Sequence, residues 1–259
     1  MNKIHCISGL PRSGTTLLST IFNQNPRFAA SISSPLARMV RAIVSESHAQ
    51  AGFRRQCPEE KRRRLIENLI ATYYEDANEV VFDTNRGWPL LASLLHDLHP
   101  PAKMICCVRE IPWILDSFEV LVRRNPYALT SLFTGNEGQD VYSRAGTLLR
   151  PEGVVGFALN GLKQVIYSRE NKMILLVQYD DLCRSPKQVM QEIYRFIDEP
   201  YFEHDFNDLE ASYDEFDDDL NLKGMHTVRK ELQYVERTPV IPPDLWHQAA
   251  GLSFWKNKS

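Results

Sequence analysis

Gly9 and Gly14 lie in the stretch Gly-Leu-Pro-Arg-Ser-Gly-Thr-Thr, which ends at Thr16 and has the residue types and spacing of a phosphate-cradling loop. In the motif G-x-x-x-x-G-K followed by Ser or Thr, backbone N–H groups wrap the phosphates and the lysine reaches the outer ones. Here Thr15 stands in the lysine position. The loop therefore suits a phosphate but lacks the cation that supports transfer from a nucleoside triphosphate. Arg12, inside the loop, is the available cation. An apolar run over residues 4–7 predicts the strand feeding the loop, and residues 15–22 predict the helix leaving it. The N–H groups of residues 13–16 then point at an anion on that helix N-terminus.

Three further segments carry residue types suited to ligand contact. Cys107-Val108-Arg109, followed by Ser117, places a guanidinium at a strand end and a hydroxyl in the next helix. A guanidinium offers a bidentate fork to phosphate oxygens, and the hydroxyl adds a donor. Val177-Gln178-Tyr179-Asp180-Asp181-Leu182 puts an aromatic ring at another strand end. Such a ring either contacts a base or serves as an interfacial aromatic with its hydroxyl on backbone. Late in the chain, Gly224 to Lys230 is basic and ends in Arg229 and Lys230.

Asp83 is the candidate general base, because a carboxylate at the C-terminal end of a sheet strand faces the crevice where ligands bind in open α/β folds. A base in that position contributes about 10²- to 10⁴-fold to turnover. Asp83 could instead cap the helix that follows, although Asn85 is also suited to that task. Glu46 and His48, near the end of a helix predicted over residues 36–49, are secondary candidates.

Pro11-Arg12-Ser13-Gly14-Thr15-Thr16 resembles the 5′-phosphosulfate loop of sulfotransferases, among them tyrosylprotein and many bacterial small-molecule enzymes. That resemblance implies 3′-phosphoadenosine 5′-phosphosulfate as donor, with no metal required. It implies a 3′-phosphate held by Arg109 and Ser117, and adenine near Tyr179. It also implies a late loop, with Arg229 and Lys230, closing over the 3′-phosphate side. Arg12 becomes a catalytic residue, stabilising charge on the leaving phosphate. In carbohydrate sulfotransferases the strand end corresponding to Asp83 resembles Glu-Lys-Ser/Thr, with the glutamate as base. Here Thr84 replaces the lysine, and Arg86 is its available substitute. Lys223, Thr227 and Val228 fit the short dimer motif of cytosolic members, but Leu232 occupies its glutamate position, so homodimerisation is left open.

The elements that must position these residues are legible as short apolar runs alternating with helical patterns, the signature of a parallel sheet wrapped by helices. Strands are predicted over 4–8, 28–32, 80–83, 103–108 and 173–178. Helices are predicted over 15–22, 36–49, 59–76, 89–98, 111–124, 154–168 and 186–197. The expected fold is one α/β domain spanning 1–259, with a P-loop-NTPase-like parallel sheet of about five strands. Its core is residues 1–200, and an irregular tail over 201–259 wraps it and completes the site. The acidic run over 205–219 reads as a mobile surface segment or a contact to a cationic acceptor.

The chain has 259 residues, 43% of them hydrophobic, and a net charge of −3. This balance argues against a nucleic-acid-binding surface, which works through a basic excess. No stretch reaches the roughly 20 apolar residues of a membrane span. The five cysteines are odd in number and lack zinc-like spacing, so reduced thiols and a cytoplasmic location are expected. The acceptor is expected to be a small molecule, carbohydrate or peptide carrying a hydroxyl, less readily an amine. Ser31 to Arg41, Trp88, Tyr127 to Tyr142 and parts of the tail are expected to line its pocket. Two readings compete with sulfuryl transfer: a kinase or NTPase with a degenerate loop, and a non-catalytic nucleotide-binding module.

Overall fold

The computed structural model describes residues 3–49, 51–209, 211 and 213–258. Along the chain, β1 (Lys3–Gly9) leads through the loop to α1 (Thr15–Phe22), then β2 (Phe28–Ala30), α2 (Leu36–Ala49), α3 (Ala51–Gln56) and α4 (Glu59–Tyr73). β3 (Val80–Thr84), a short 3₁₀ turn over Trp88–Leu91 and α5 (Ala92–Leu98) follow. Next come β4 (Met104–Val108), α6 (Ile111–Arg124), α7 (Val141–Leu149), α8 (Val154–Ile166) and β5 (Ile174–Gln178). The chain closes with α9 (Tyr179–Arg184), α10 (Pro186–Phe196), α11 (Asp214–Leu220) and α12 (Pro243–Ala250).

All five strands are parallel in the order β2-β3-β1-β4-β5. A parallel sheet covered on both faces needs apolar side chains pointing both ways, which is why its strands read as unbroken hydrophobic runs. β4 shows this directly. Met104, Cys106 and Val108 enter the cluster containing Trp88, Ile114 and Phe118. Ile105 and Cys107 enter the opposite one with Phe22, Phe28 and Phe82, where Phe22 and Phe82 stack at 4.2 Å between centroids. The adjacent Cys106 and Cys107 therefore lie on opposite faces of the sheet and remain free thiols, their pKa values raised by burial.

The fold class matches the sequence expectation, with differences at particular places. β2 stops at Ala30, because the hydroxyl of Ser31 rather than a backbone carbonyl accepts the Thr84 N–H, at 2.9 Å. The helix expected over 89–98 opens as the 3₁₀ turn, since the Trp88 indole is anchored to Asp83 and Asn85 Oδ1 accepts the Gly87 N–H. The tail is less irregular than expected. α12 starts on Pro243, whose missing N–H costs nothing in a first turn, and it sets Trp246 edge-on against Trp113 of α6 at 4.7 Å. The acidic run, expected as a mobile surface segment, contains α11 and buries Asp217 to 2% exposure. Among the described residues, no helix is long and apolar enough to cross a membrane.

Candidate active site

β1 and β4 are neighbours, yet the chain leaves β1 toward the β2 edge and leaves β4 toward the β5 edge. A crevice opens where such connections diverge. Gly9 closes β1 at φ 121°, and a Cβ there would lie 2.0 Å from the Cys107 carbonyl oxygen, so no other residue permits this approach. The loop is then stapled down: Leu10 N–H donates to Cys107 O at 2.9 Å, and the buried Ser13 hydroxyl donates to the same carbonyl at 2.8 Å. Gly14, at φ 95°, caps α1 without any side-chain hydrogen bond. Leu18 is the first residue of the turn whose N–H finds a carbonyl, leaving the N–H groups of residues 13–17 without backbone partners among the described residues. This bare helix start favours an anion.

Three arginines converge on the crevice. Arg12, itself at φ 59°, donates from Nε to Ser117 Oγ at 3.0 Å and from Nη1 to the Met225 carbonyl. Burial lowers its pKa to about 10, with Arg109 and Arg237 adding to the effect against Tyr179 and Asp217, so it stays charged at neutral pH. Arg109 stacks its guanidinium on the Tyr179 ring, 4.4 Å from the centroid, while its buried Nε has no hydrogen-bond partner among the described residues. Tyr179 also packs on Gly14, where a Cβ would stand 2.9 Å from the ring, and burial pushes its phenol pKa up to about 12. Arg86 enters the cavity from beyond β3; burial lowers its pKa, and no carboxylate pairs with it among the described residues.

These groups line a cavity of about 550 Å³, floored by Pro11, Arg12, Gly14, Thr15 and Thr16 and roofed by residues 224–229 and 231–237. Six arginines line it against three carboxylates, Asp180, Glu231 and Glu236, giving a positive interior. The roof is pinned at its far end by a half-buried ion pair, in which Arg237 meets Asp116 of α6, a residue with 0% exposure. At its near end the Asp217 carboxylate accepts the N–H groups of Gly224, Met225 and His226 at 2.8 to 3.0 Å.

The structure gathers Arg12, Gly14, Thr15, Thr16, Arg109, Ser117, Tyr179 and Arg229 around one cavity. Ser13 supports the loop from beneath, its hydroxyl spent on backbone. Lys230 departs from the expectation: it is exposed, lies outside the cavity, and uses its carbonyl to accept the Leu209 N–H at 2.8 Å. Asp83 departs further. It is fully buried and absent from the cavity wall, with one oxygen accepting the Trp88 indole N–H at 2.6 Å and the other the Tyr74 hydroxyl at 2.5 Å. Desolvation raises its pKa, but the carboxylate is shut away from the crevice by its own donors. Nor does it cap the following turn, which Asn85 serves. Glu46 and His48 lie outside the cavity too, and the His48 ring contacts the Val44 carbonyl of its own helix at 2.8 Å. The expected acceptor-lining residues Trp88 and Tyr127 are displaced as well, one 1% and the other 97% exposed. Two residues that sequence reasoning missed are His226, on the cavity wall, and its partner Asp217. Their signal was present only as two separate runs, one acidic and one basic, with nothing to show that the second folds back on the first.

The geometry agrees with known proteins. The model of the sulfotransferase family matches residues 6–203. Among solved structures, the sulfotransferase domain of the Synechococcus PCC 7002 olefin synthase superposes with a TM-score of 0.53 at 18% identity, covering 96% of this chain and 94% of that one. The sulfotransferase domain from the curacin biosynthetic pathway gives 0.52 at 16% identity over 78% and 76%. A sulfotransferase from Alicyclobacillus acidocaldarius gives 0.50 at 15% over 79% and 84%. No curated protein is matched in sequence. At these identities the superpositions speak for the fold alone, and it is the match over residues 6–203 that assigns the chain to the sulfotransferase family.

Proposed function

We propose that the chain transfers the sulfuryl group of 3′-phosphoadenosine 5′-phosphosulfate to a hydroxyl, less readily an amine, of a small-molecule, carbohydrate or peptide acceptor. The observation that carries this reading is the buried Arg109 Nε without a partner, beside Ser117 and the Tyr179 ring and across from a cradle that lacks the triphosphatase lysine. A buried donor left open costs about 1–3 kcal/mol unless a ligand supplies its acceptor. A 3′-phosphate is such an acceptor, and it separates this donor from ordinary adenine nucleotides.

When bound, the donor supplies an activated sulfuryl group on a good leaving phosphate. The bare N–H groups of residues 13–17 and the Thr15 and Thr16 hydroxyls hold the 5′-phosphate, and Arg12 lies where negative charge grows on its bridging oxygen. Arg86 supplies the second cation that Thr84 does not. Arg109 and Ser117 bind the 3′-phosphate, with Arg229 on the roof above and Lys230 outside, and Tyr179 borders adenine. No metal is assigned a role. Five unpaired thiols suit a reducing compartment, and we place the reaction in the cytoplasm. Incubation with donor radiolabelled in the sulfuryl group and a panel of alcohols, phenols, sugars and amines tests the reading. Label should move to a hydroxyl acceptor and not depend on magnesium; label that stays on the donor across the panel contradicts it.

A further inference from the structure

We infer that His226, held by Asp217, is the group that takes the acceptor proton. This inference rests on the donor reading above. His226 follows Met225, whose carbonyl accepts the Arg12 guanidinium, so the imidazole is tied within one residue to the phosphate loop. His226 lines the cavity. Asp217 accepts from the Gly224, Met225 and His226 N–H groups and meets ring Nδ1 at 2.8 Å, so one buried carboxylate fixes both the loop and the imidazole. A carboxylate in four such contacts acts as acceptor, which places the ring proton on Nδ1 and leaves the Nε2 lone pair free. Phe216, edge-on at 6.0 Å between centroids, packs against the ring.

The charged groups around the ring agree. Burial lowers the His226 pKa below its ordinary 6.5, Asp217 opposes this, and Arg12 and Arg86 push it down again. The imidazole is neutral at pH 7 and able to accept a proton. Asp83, enclosed by Trp88 and Tyr74, has no comparable access.

The step balances as follows. The acceptor O–H proton passes to His226 Nε2 as the oxygen forms its bond to sulfur. The bond from sulfur to the 5′-phosphate oxygen breaks, and its electron pair leaves on that oxygen, opposite Arg12. The imidazolium is stabilised by Asp217 and returns its proton to solvent. Asp217 is thus a positioning residue and His226 a catalytic one.

Water serves as the acceptor in the test, with donor radiolabelled in the sulfuryl group and sulfate release measured above the spontaneous rate on the full chain. Wild type should show a rate that rises with pH on a single limb centred below 6.5. His226→Asn keeps a donor toward Asp217 but offers no base, so the limb should vanish and the rate fall about 10²- to 10⁴-fold. Its stabilisation by 3′,5′-ADP should persist. Asp217→Asn should move the limb to lower pH, a change that loss of support alone would not produce. In wild type, diethyl pyrocarbonate should modify His226, and 3′,5′-ADP should protect it. A wild-type rate and limb in His226→Asn, an unprotected His226, or no sulfate release by a wild type that binds 3′,5′-ADP would each overturn the inference. Failure of wild type to bind 3′,5′-ADP instead overturns the donor reading.

Discussion

Arg12 Nε donates to Ser117 Oγ at 3.0 Å, joining the loop after β1 to the helix after β4. The same guanidinium reaches the carbonyl of Met225, so one side chain ties together the cradle, the α6 wall and the roof of the cavity. Only a planar fork can serve these directions at once while leaving an N–H face for an anion. The backbone of Arg12 itself is left-handed, at φ 59°.

Arg12→Lys therefore loses more than its retained charge suggests, because the planar fork is replaced by a single ammonium. Charge-assisted hydrogen bonds are worth about 1.5–3 kcal/mol each, so the dissociation constant of 3′,5′-ADP should weaken roughly 10- to 100-fold by calorimetric titration. An unchanged constant would remove Arg12 from the ligand's path.

Under the proposed donor reading, Arg109 should set a preference for a 3′-phosphate. Wild type should bind 3′,5′-ADP in clear preference to 5′-AMP, because the open Nε of Arg109 has an acceptor only in the former. In Arg109→Gln the two ligands should converge, mainly through weaker binding of 3′,5′-ADP. A preserved preference would place the 3′-phosphate elsewhere.

Asp83 has a structural assignment to test. Asp83→Ala strips the acceptor from the Trp88 indole and the Tyr74 hydroxyl within the core. Each stranded donor costs about 1–3 kcal/mol, so urea unfolding should register a loss of roughly 2–4 kcal/mol. A variant as stable as wild type would show that the buried network contributes little.

Acid should weaken the fold before most carboxylates protonate. His5 and His204 are 3% and 5% exposed, and burial lowers the pKa of each to about 4. The unfolded chain takes up these protons as pH falls below 6.5, while the native state does not until about 4. Stability conferred by the two neutral rings is therefore complete above 6.5 and lost on the way down, by roughly 3 kcal/mol per ring. Denaturant midpoints between pH 7 and 4.5 measure this, and replacing both histidines by glutamine should flatten the slope.

The sheet was legible because its strands are buried on both faces. Runs such as Met104–Val108 carry no polar interruption, and the phosphate loop is local, its glycines spaced for one turn. Arg109, Ser117 and Tyr179 were legible because each follows or lies beyond a strand whose C-terminal end must face the crevice. Asp83 misled for the same reason. It too ends a strand, but the donors that enclose it come from Tyr74 and Trp88, and no periodicity reports where those rings turn. The Asp217 and His226 pair was hidden because the acidic run resembles a solvated surface until it folds into α11 and captures three consecutive N–H groups.

The central claim is a cradle for a 3′,5′-bisphosphorylated adenosine donor. Thermal or denaturant unfolding of the full chain with 3′,5′-ADP, 5′-AMP and magnesium ATP tests it most directly. Ligand at 100 times its dissociation constant should stabilise by about 2.7 kcal/mol. The account predicts that shift for 3′,5′-ADP, little for 5′-AMP, and no magnesium-dependent shift for ATP. Stabilisation by magnesium ATP with no effect of 3′,5′-ADP would contradict it.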